Sequence, residues 1–345
     1  MDNEPVAWNF LFQEGELPVT ADAVQMPLIA AFQVAPSGAA QPLSWPLGES
    51  RPAAEGYQWI HLQHGTADGD RWLRDQSGLP EYAVEALLDS ETQPRCAKFD
   101  GGMLVILRGV NLNPGADPED MVSIRMWVEP NRIVSVRLRR LMAVTDMRKA
   151  MEANQAPPTV GSFLADLSER LTARIDTVVL SLTDEIDVLE EEMLADIAEN
   201  ERARTSELRR KLIVLRRYIA PQRDALSRLA APDDQIMSTK ERIEIRETQD
   251  MTSRLVEELD AARERAGVIS DQLMDRRSEE MNRNMMVLSV VAAIFLPLGF
   301  LTGLLGINVG GMPGAENDLA FWIVCALLGI LTAMLVGLFR YLRWL

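Results

Sequence analysis

The sequence predicts an α+β domain, in which helices pack on a mixed sheet, followed by long helices and two carboxyl-terminal transmembrane helices. Three observations predict this order. Short apolar and β-branched runs alternate with turn signals over residues 1–155. Apolar residues then recur at helical spacing, and two charge-free apolar runs come last. A chain of 345 residues is also too long for one ordinary core, so two or three structural units are expected.

The first predicted unit, residues 1–155, contains four strands and a helix. Turn signals such as Asn-Pro-Gly and Glu-Pro-Asn separate the strands. A helix is predicted over Glu81–Leu88, where apolar residues follow helical spacing. The predicted strands are Gln58–Leu62, Gly102–Leu107, Val122–Val128 and Arg132–Val136.

The second predicted unit, residues 156–234, consists of long antiparallel helices. Its first helix has apolar steps of 3, 4 and 4 repeated three times, an eleven-residue repeat that keeps one apolar stripe nearly straight. A second helix is predicted from about Glu201, with a kink at Pro221. The stripe of the first helix comprises Leu164, Leu167, Leu171, Ile175, Val178, Leu182, Ile186, Leu189, Met193 and Ile197.

A third helix is predicted over residues 235–305 as a stalk that continues into the first apolar run. No Pro or Gly cluster interrupts it before Met285. At 1.5 Å per residue such a helix is on the order of 100 Å long. A loop over 306–318, a second span over 319–339 and a short basic tail over 340–345 complete the predicted order.

The apolar runs Val287–Leu305 and Leu319–Phe339 are each long enough to cross a bilayer, which takes about 20 helical residues. A buried hairpin of a soluble protein is the alternative, but two such runs in tandem are rare there. Arginines flank the pair on both outer sides, whereas the link between the runs has no Lys or Arg. The positive-inside rule therefore places both termini in the cytoplasm. The first thirty residues have no signal-peptide pattern, so the large amino-terminal part is expected to stay cytosolic.

The net charge is −16, and it is shared between the two predicted cytosolic parts. Residues 1–157 contain 21 acids and 13 bases, and residues 158–283 contain 28 acids and 20 bases. This balance argues against nucleic acid as a partner and allows cations, with a solvated acidic surface as the alternative. Cys96 and Cys325 are too far apart in the predicted topology for a disulfide framework. No nucleotide loop, nucleophile elbow or paired-cysteine site is present, so neither an enzyme nor a catalytic cofactor is predicted.

The link between the spans begins with Gly306, Ile307 and Asn308. A ring of Asn308 amide oxygens, with nearby backbone carbonyls, would offer neutral acceptors to a hydrated cation. Glu316 and Asp318 would concentrate cations beside it. An ordinary turn is the alternative. Because two helices cannot enclose a polar path, any transport function requires a homo-oligomer in the lipid bilayer.

Two final spans, a Gly-Ile-Asn at the end of the first and a Met-Pro just beyond it resemble the CorA superfamily of divalent-cation channels and transporters. The usual motif there is Gly-Met-Asn, and the Ile variant resembles the ZntB branch, known as zinc transporters. The stretches PRCAKFDGGMLVILRGVNLNPGADPEDMVSIRMWVEPNRIVSVR and LRRKLIVLRRYIAPQRDALSRL are also similar to that branch.

The resemblance implies a funnel-shaped homopentamer in a bacterial inner membrane that takes up zinc or another divalent cation into the cytosol. Coupling to protons is left open, because the two spans contain no Asp, Glu or His to relay a proton. Two other functions remain as alternatives. One is a CorA-type magnesium or cobalt channel gated by cytosolic cation binding, and the other is a membrane-anchored coiled-coil scaffold that transports nothing.

The resemblance also implies a set of pore-facing residues, whose spacing agrees with one helix face. Met285 and Leu288 would form an apolar constriction, with simple interhelical packing as the alternative. Gly299 stands where channel members usually have a polar Thr, and Gly314 stands where an acid usually follows Met-Pro. The implied pore-facing residues are Asn282, Met285, Leu288, Ala292, Leu296, Gly299, Gly303 and Asn308.

Two further groups are weaker metal candidates. Asp184, Glu185 and Asp187 would form a cytosolic cation site, or else the solvated face of a long helix. His61 and His64 are three residues apart, and in a strand they would point to opposite faces, which disfavours shared metal ligation.

Overall fold

The computed structural model of the chain describes residues 26–48, 53–89, 92–195, 201–231, 236–307 and 319–342. These residues belong to two compact units. The first lies within residues 1–199 and 207–265, and the second lies within residues 200–206 and 266–345. The first unit contains a sheet with covering helices and parts of the long helices, and the second contains the apolar helical segments.

A seven-stranded sheet forms the centre of the first unit. Its strand order is β2-β1-β3-β7-β6-β5-β4, in which β3 and β7 are parallel and the other neighbours are antiparallel. The predicted mixed sheet is therefore confirmed, and the four predicted strands correspond to β3, β5, β6 and β7. The strands are β1 (Leu28–Val34), β2 (Ala40–Pro42), β3 (Tyr57–Gln63), β4 (Arg95–Phe99), β5 (Gly102–Gly109), β6 (Val122–Glu129) and β7 (Arg132–Arg137).

The sequence does not predict three of these strands. β2 and β4 are the edges of the sheet, each with one neighbour, so polar residues such as Arg95 remain there and no clear apolar alternation marks them. β1 contains Ala30 and Ala31, whose small side chains have little strand propensity. β1 is a strand because it pairs with β3, and this pairing is visible only in the tertiary structure.

Different helices cover the two faces of the sheet. On one face the Trp59 ring lies 5.2 Å, centroid to centroid, from that of Phe163 in the first long helix. On the other face Trp127 belongs to a separate core with residues of the first two short helices, whereas the third short helix packs in the core of Phe163. Because both faces are buried, strands such as β6 read as nearly continuous apolar runs. The short helices are α1 (Ala67–Asp75), α2 (Glu81–Leu88) and α3 (Met142–Glu152), of which the sequence predicts α2.

Four longer helices follow: α4 (Val160–Ala195), α5 (Glu201–Leu229), α6 (Thr239–Leu305) and α7 (Ala320–Tyr341). Nine residues of the predicted eleven-residue stripe, from Leu164 to Met193, are buried along α4, and the tenth, Ile197, lies outside the described residues. Pro221 lies inside α5, which continues to Leu229. α6 runs for 67 residues without interruption, although it contains Pro297.

Ion pairs connect the long helices within the first unit. Arg216 of α5 holds both carboxylate oxygens of Asp260 in α6, at 2.5 and 3.0 Å. Arg265 of α6 holds Glu190 of α4 at 2.6 and 3.0 Å and also pairs with Asp187. These groups are partly exposed, so each pair contributes at most about 1 kcal/mol. They connect α6 to α5 through Asp260 and to α4 through Arg265.

The Glu241 carboxylate caps two helices at once. It accepts a hydrogen bond from the Ser238 backbone N–H at 2.6 Å, and the Glu241 N–H donates to Ser238 Oγ at 3.4 Å, which forms a capping box at the start of α6. It also accepts from the hydroxyl of Thr159, which precedes α4. Burial opposes ionisation of Glu241, but the hydrogen bonds from Thr159 and Ser238 outweigh it and hold the pKa of this carboxyl below its ordinary value.

Replacing Glu241 by Ala is expected to lower the stability by about 1 kcal/mol, because it leaves cap donors of two helices unpaired. In the full-length protein in detergent this corresponds to a fall of roughly 2–4 °C in melting temperature at pH 7. Since the folded pKa of Glu241 lies below the unfolded value, the stabilisation is present above pH 4.5 and is lost as the pH falls below it. The difference between parent and variant should therefore shrink in acid.

The exposed Glu247 on the same helix provides the control, and Glu247→Ala should leave the melting temperature unchanged. An equal fall for both variants would show that the cap contributes nothing beyond the removal of a charge.

Candidate functional site

The candidate site lies in the second unit, on the apolar part of α6 and on α7. Both helices are long and apolar enough to cross a membrane. Only 6% of the apolar window of α6 and none of that of α7 is buried within the chain. Such a large exposed apolar surface requires lipid or other copies of the chain to cover it.

One stripe of α6 is shielded within the single chain. Val290 is only 3% exposed, and Ile294, Pro297, Leu298 and Leu301 are less exposed than their neighbours. Steps of three and four residues place these side chains on one helix face. This face is therefore partly shielded before any assembly forms.

The residues implied to face a pore lie on the opposite face of α6. Leu288 is 72% exposed and Leu296 is 76% exposed, and at 100° per residue both point away from Val290. A Cβ added at Gly299 or Gly303 would meet no atom within 4 Å in the chain, so the backbone there is open to close approach. All described members of the set are exposed: Asn282, Met285, Leu288, Ala292, Leu296, Gly299 and Gly303.

The hydroxyl groups on this segment are satisfied inside the helix. Thr302 Oγ1 donates to the Leu298 carbonyl at 2.9 Å, or to that of Gly299 at 3.1 Å. Ser289 Oγ donates to the Met285 carbonyl at 2.8 Å. These contacts allow polar side chains inside an otherwise apolar span. Both hydroxyls therefore have an acceptor within their own helix.

α6 ends immediately before the Gly-Ile-Asn motif. Gly306 N–H donates to the carbonyls of Thr302 at 3.0 Å and Gly303 at 3.2 Å, which closes the last turn. Ile307 follows and is 49% exposed. The rest of the predicted mouth, Asn308, Glu316 and Asp318, lies outside the described residues.

The acids predicted as a second metal site do not form a cluster in the described residues. Asp184, Glu185 and Asp187 are exposed on α4, and Asp187 pairs with Arg265, which also holds Glu190. The sequence does not predict that Arg265 pairs with these acids. The available signal is the spacing of Asp187 and Glu190, which are three residues apart and therefore lie on one helix face, where one guanidinium can reach both. Across the residues that the structure describes, no group of three or more His, Cys, Asp or Glu is arranged to hold a metal ion.

The two histidines have separate environments. His61 is fully buried in β3, and its Nδ1 lies 2.9 Å from Ser135 Oγ. Burial, followed by the charge of Arg137, holds the pKa of His61 well below its ordinary value. His64 lies beyond the end of β3, with its Nδ1 3.9 Å from Asp70 Oδ1. The positive charge of Arg137 beside this enclosed ring disfavours a metal cation at His61.

The chain is similar to known proteins along most of its length. The family described as CorA-like Mg2+ transporter protein matches residues 54–341. The chain is 42% identical over 289 residues to the divalent cation transporter CmaX of Pseudomonas aeruginosa, a match that covers 83% of this chain and 87% of that protein. It belongs to the CorA-like family. Members of this family are transporters of divalent cations and not enzymes.

Two further relatives complete the comparison. The zinc transport protein ZntB of Yersinia enterocolitica is 33% identical over 287 residues, which are 83% of this chain and 88% of that protein. The solved structure of the full-length CmaX protein has a TM-score of 0.80 and 37% identity, and the match covers 94% of this chain and all of that one. For this CorA-like chain, the predicted fold class and the resemblance to the ZntB branch are thereby confirmed.

Proposed function

We propose that this CorA-like chain takes up zinc into the cytosol through a pore formed by five copies of α6 in the bacterial inner membrane. The observation that carries the pore is the division of α6 into two faces. The face with Val290 is shielded in the single chain, while the face with Leu288, Leu296, Gly299 and Gly303 is open. A symmetric assembly would close the open faces around an axis.

The oligomer follows from the number of helices. Two apolar helices per chain cannot enclose a hydrated path, because polar groups in the bilayer need neighbours on all sides. Glycines on the open face allow the helix backbones of neighbouring copies to approach closely. The number five rests on the resemblance to the CorA superfamily.

We propose zinc rather than magnesium as the transported ion for two reasons. One relative with 33% identity is named a zinc transport protein, and the chain has Gly-Ile-Asn where the usual family motif is Gly-Met-Asn. A CorA-type magnesium channel is the second candidate, and the magnesium in the family's description favours it. A scaffold that transports nothing has no support among the relatives.

Proton coupling is part of the proposal, with a constraint on its route. The spans contain no Asp, Glu or His, the side chains that usually relay protons inside membranes. A proton would have to follow water in the pore and use acids outside the bilayer, such as Glu316 and Asp318. The arginines on both outer sides of the spans support cytoplasmic termini.

Flux in proteoliposomes tests the proposal. The full-length protein is reconstituted, and uptake of zinc and of magnesium is measured with and without an imposed proton gradient. We expect zinc to enter, and to enter faster when protons flow in the same direction. Magnesium flux without zinc flux would contradict the zinc assignment, and a dimer by mass measurement in detergent would contradict the pore.

A further inference from the structure

A cavity of about 250 Å³ opens in the first unit, where β5 and β6 approach α5. Four arginines line it together with one acid, Asp120. Its remaining polar lining includes a serine hydroxyl and a tyrosine, and its apolar lining includes a methionine and two valines. A group with net charge +3 is unusual in a protein whose overall charge is −16. The four arginines are Arg108, Arg125, Arg139 and Arg217.

Sheet register brings two of these arginines together. Arg108 of β5 is the direct register partner of Ser123 in β6. Arg125 is two residues further along β6 and therefore lies on the same face as Ser123. α5 then places Arg217 and Tyr218 beside them, and the Arg108 backbone N–H donates to Gln222 Oε1 of the same helix at 2.7 Å.

The guanidinium groups are held by neutral partners. Arg108 donates to the carbonyls of Thr92 and Met121, both at 2.7 Å, and its Cζ lies 4.1 Å from the centroid of the Tyr218 ring. Arg217 Cζ lies 4.8 Å from the same centroid, and Arg217 Nη2 donates to Tyr218 Oη at 2.8 Å. Carbonyls and an aromatic ring orient a cation without neutralising it.

Arg125 is the most deeply buried of the four arginines. It is 1% exposed, its Nη1 donates to the Leu87 carbonyl at 2.9 Å, and its Nε is buried with no partner among the described residues. Burial lowers the pKa of Arg125, the charge of Asp89 opposes this shift, and the charge of Arg108 adds to it. Burying a cation is costly, and the charge of Asp89 offsets only part of this cost, since the pKa of Arg125 remains lowered. Within the described part of the chain, none of the four arginines forms a salt bridge.

We propose that this cavity binds a small organic phosphate, with the phosphate among the guanidinium groups and the organic part against the apolar lining. Guanidinium groups bind phosphate through pairs of parallel hydrogen bonds. A phosphate monoester carries about −1.5 to −2 at pH 7, so it offsets most of the excess charge. The cavity approaches the lower end of small-molecule sites, roughly 300 Å³, and has room for more than a bare ion.

Calorimetric titration of the full-length protein in detergent tests this assignment, in low salt and with divalent metals removed. The probes are glycerol phosphate, inorganic phosphate, chloride and glycerol. We expect glycerol phosphate to bind more tightly than the other three. Arg139→Gln combined with Arg217→Gln should weaken it at least about tenfold, because a hydrogen bond to a charged group contributes about that factor. Both positions are exposed, so the fold should tolerate the change.

The matched control is Arg209→Gln, an exposed arginine on the same helix that does not line the cavity. It should bind glycerol phosphate as the parent protein does. Unchanged affinity in the double variant would overturn the site. Equal affinity for inorganic phosphate, chloride and glycerol phosphate would overturn the organic ligand, and so would no binding at all. Because binding is read without flux, these outcomes are independent of the transport proposal.

Discussion

Replacing Asn308 by Leu is expected to reduce zinc flux through the reconstituted pore at least about tenfold while leaving the oligomer intact. In the proposed assembly five amide oxygens at the outer mouth replace part of the water shell of the ion. Leu offers no oxygen, so an entering cation would lose water without compensation. Flux of zinc into proteoliposomes measures the loss, and mass in detergent verifies the assembly.

The same loop provides a matched control. Asn317 is the other asparagine between the spans, and Asn317→Leu removes the same amide at a position outside the Gly-Ile-Asn motif. Its flux should stay near that of the parent protein. If both variants transport zinc at the parental rate, Asn308 has no part in the mechanism. If both variants lose zinc flux equally, transport requires polar residues anywhere in this loop, and the Gly-Ile-Asn motif has no specific role.

Truncating Leu288 to Ala is expected to increase the leak of cations several-fold in the absence of any gradient of protons. Leu288 is 72% exposed in the single chain and lies on the open face of α6, one turn from Met285. In the proposed pore, rings of these two side chains form an apolar constriction that excludes water. Smaller side chains widen the ring and allow water, and with it ions, to pass. The leak is measured in vesicles that contain a trapped cation-sensitive fluorescent indicator, from the change in its fluorescence.

Leu298→Ala is the control on the same helix. It removes the same atoms from the shielded stripe, where Leu298 is partly buried within the chain. We expect lower thermal stability from the lost packing but no leak. A leak through Leu298→Ala that equals that through Leu288→Ala would show that the two faces have been assigned to the wrong roles.

Much of the architecture was predictable because its signals are local. The eleven-residue repeat from Leu164 to Met193 predicted a buried stripe, which the structure shows along α4. The four predicted strands have apolar cores on both faces, so their runs stand out from the turns. The edge strands β2 and β4 did not stand out, because an edge keeps polar side chains and its strand character depends on the neighbour with which it pairs.

The candidate sites also differ in how far the sequence alone could predict them. The proposed pore-facing residues come from the family resemblance, and their spacing along α6 is consistent with one shared helix face. The structure added that the face with Val290 is already shielded, which leaves the opposite face for assembly. The role of Asp187 was not predictable, because its partner Arg265 is 78 residues away along the chain.

The sequence by itself determined the two apolar runs, the uninterrupted helix that leads into the first of them, the arginines that flank the pair and the resemblance carried by Gly-Ile-Asn. Periodicity, charge and short motifs are properties of contiguous residues, so they can be read without coordinates. Tertiary structure alone decided which helix face is shielded, which carboxylate caps two helices, and that arginines from β5, β6 and α5 surround one cavity. Those features depend on strand register and helix packing, which bring together residues separated by a hundred positions.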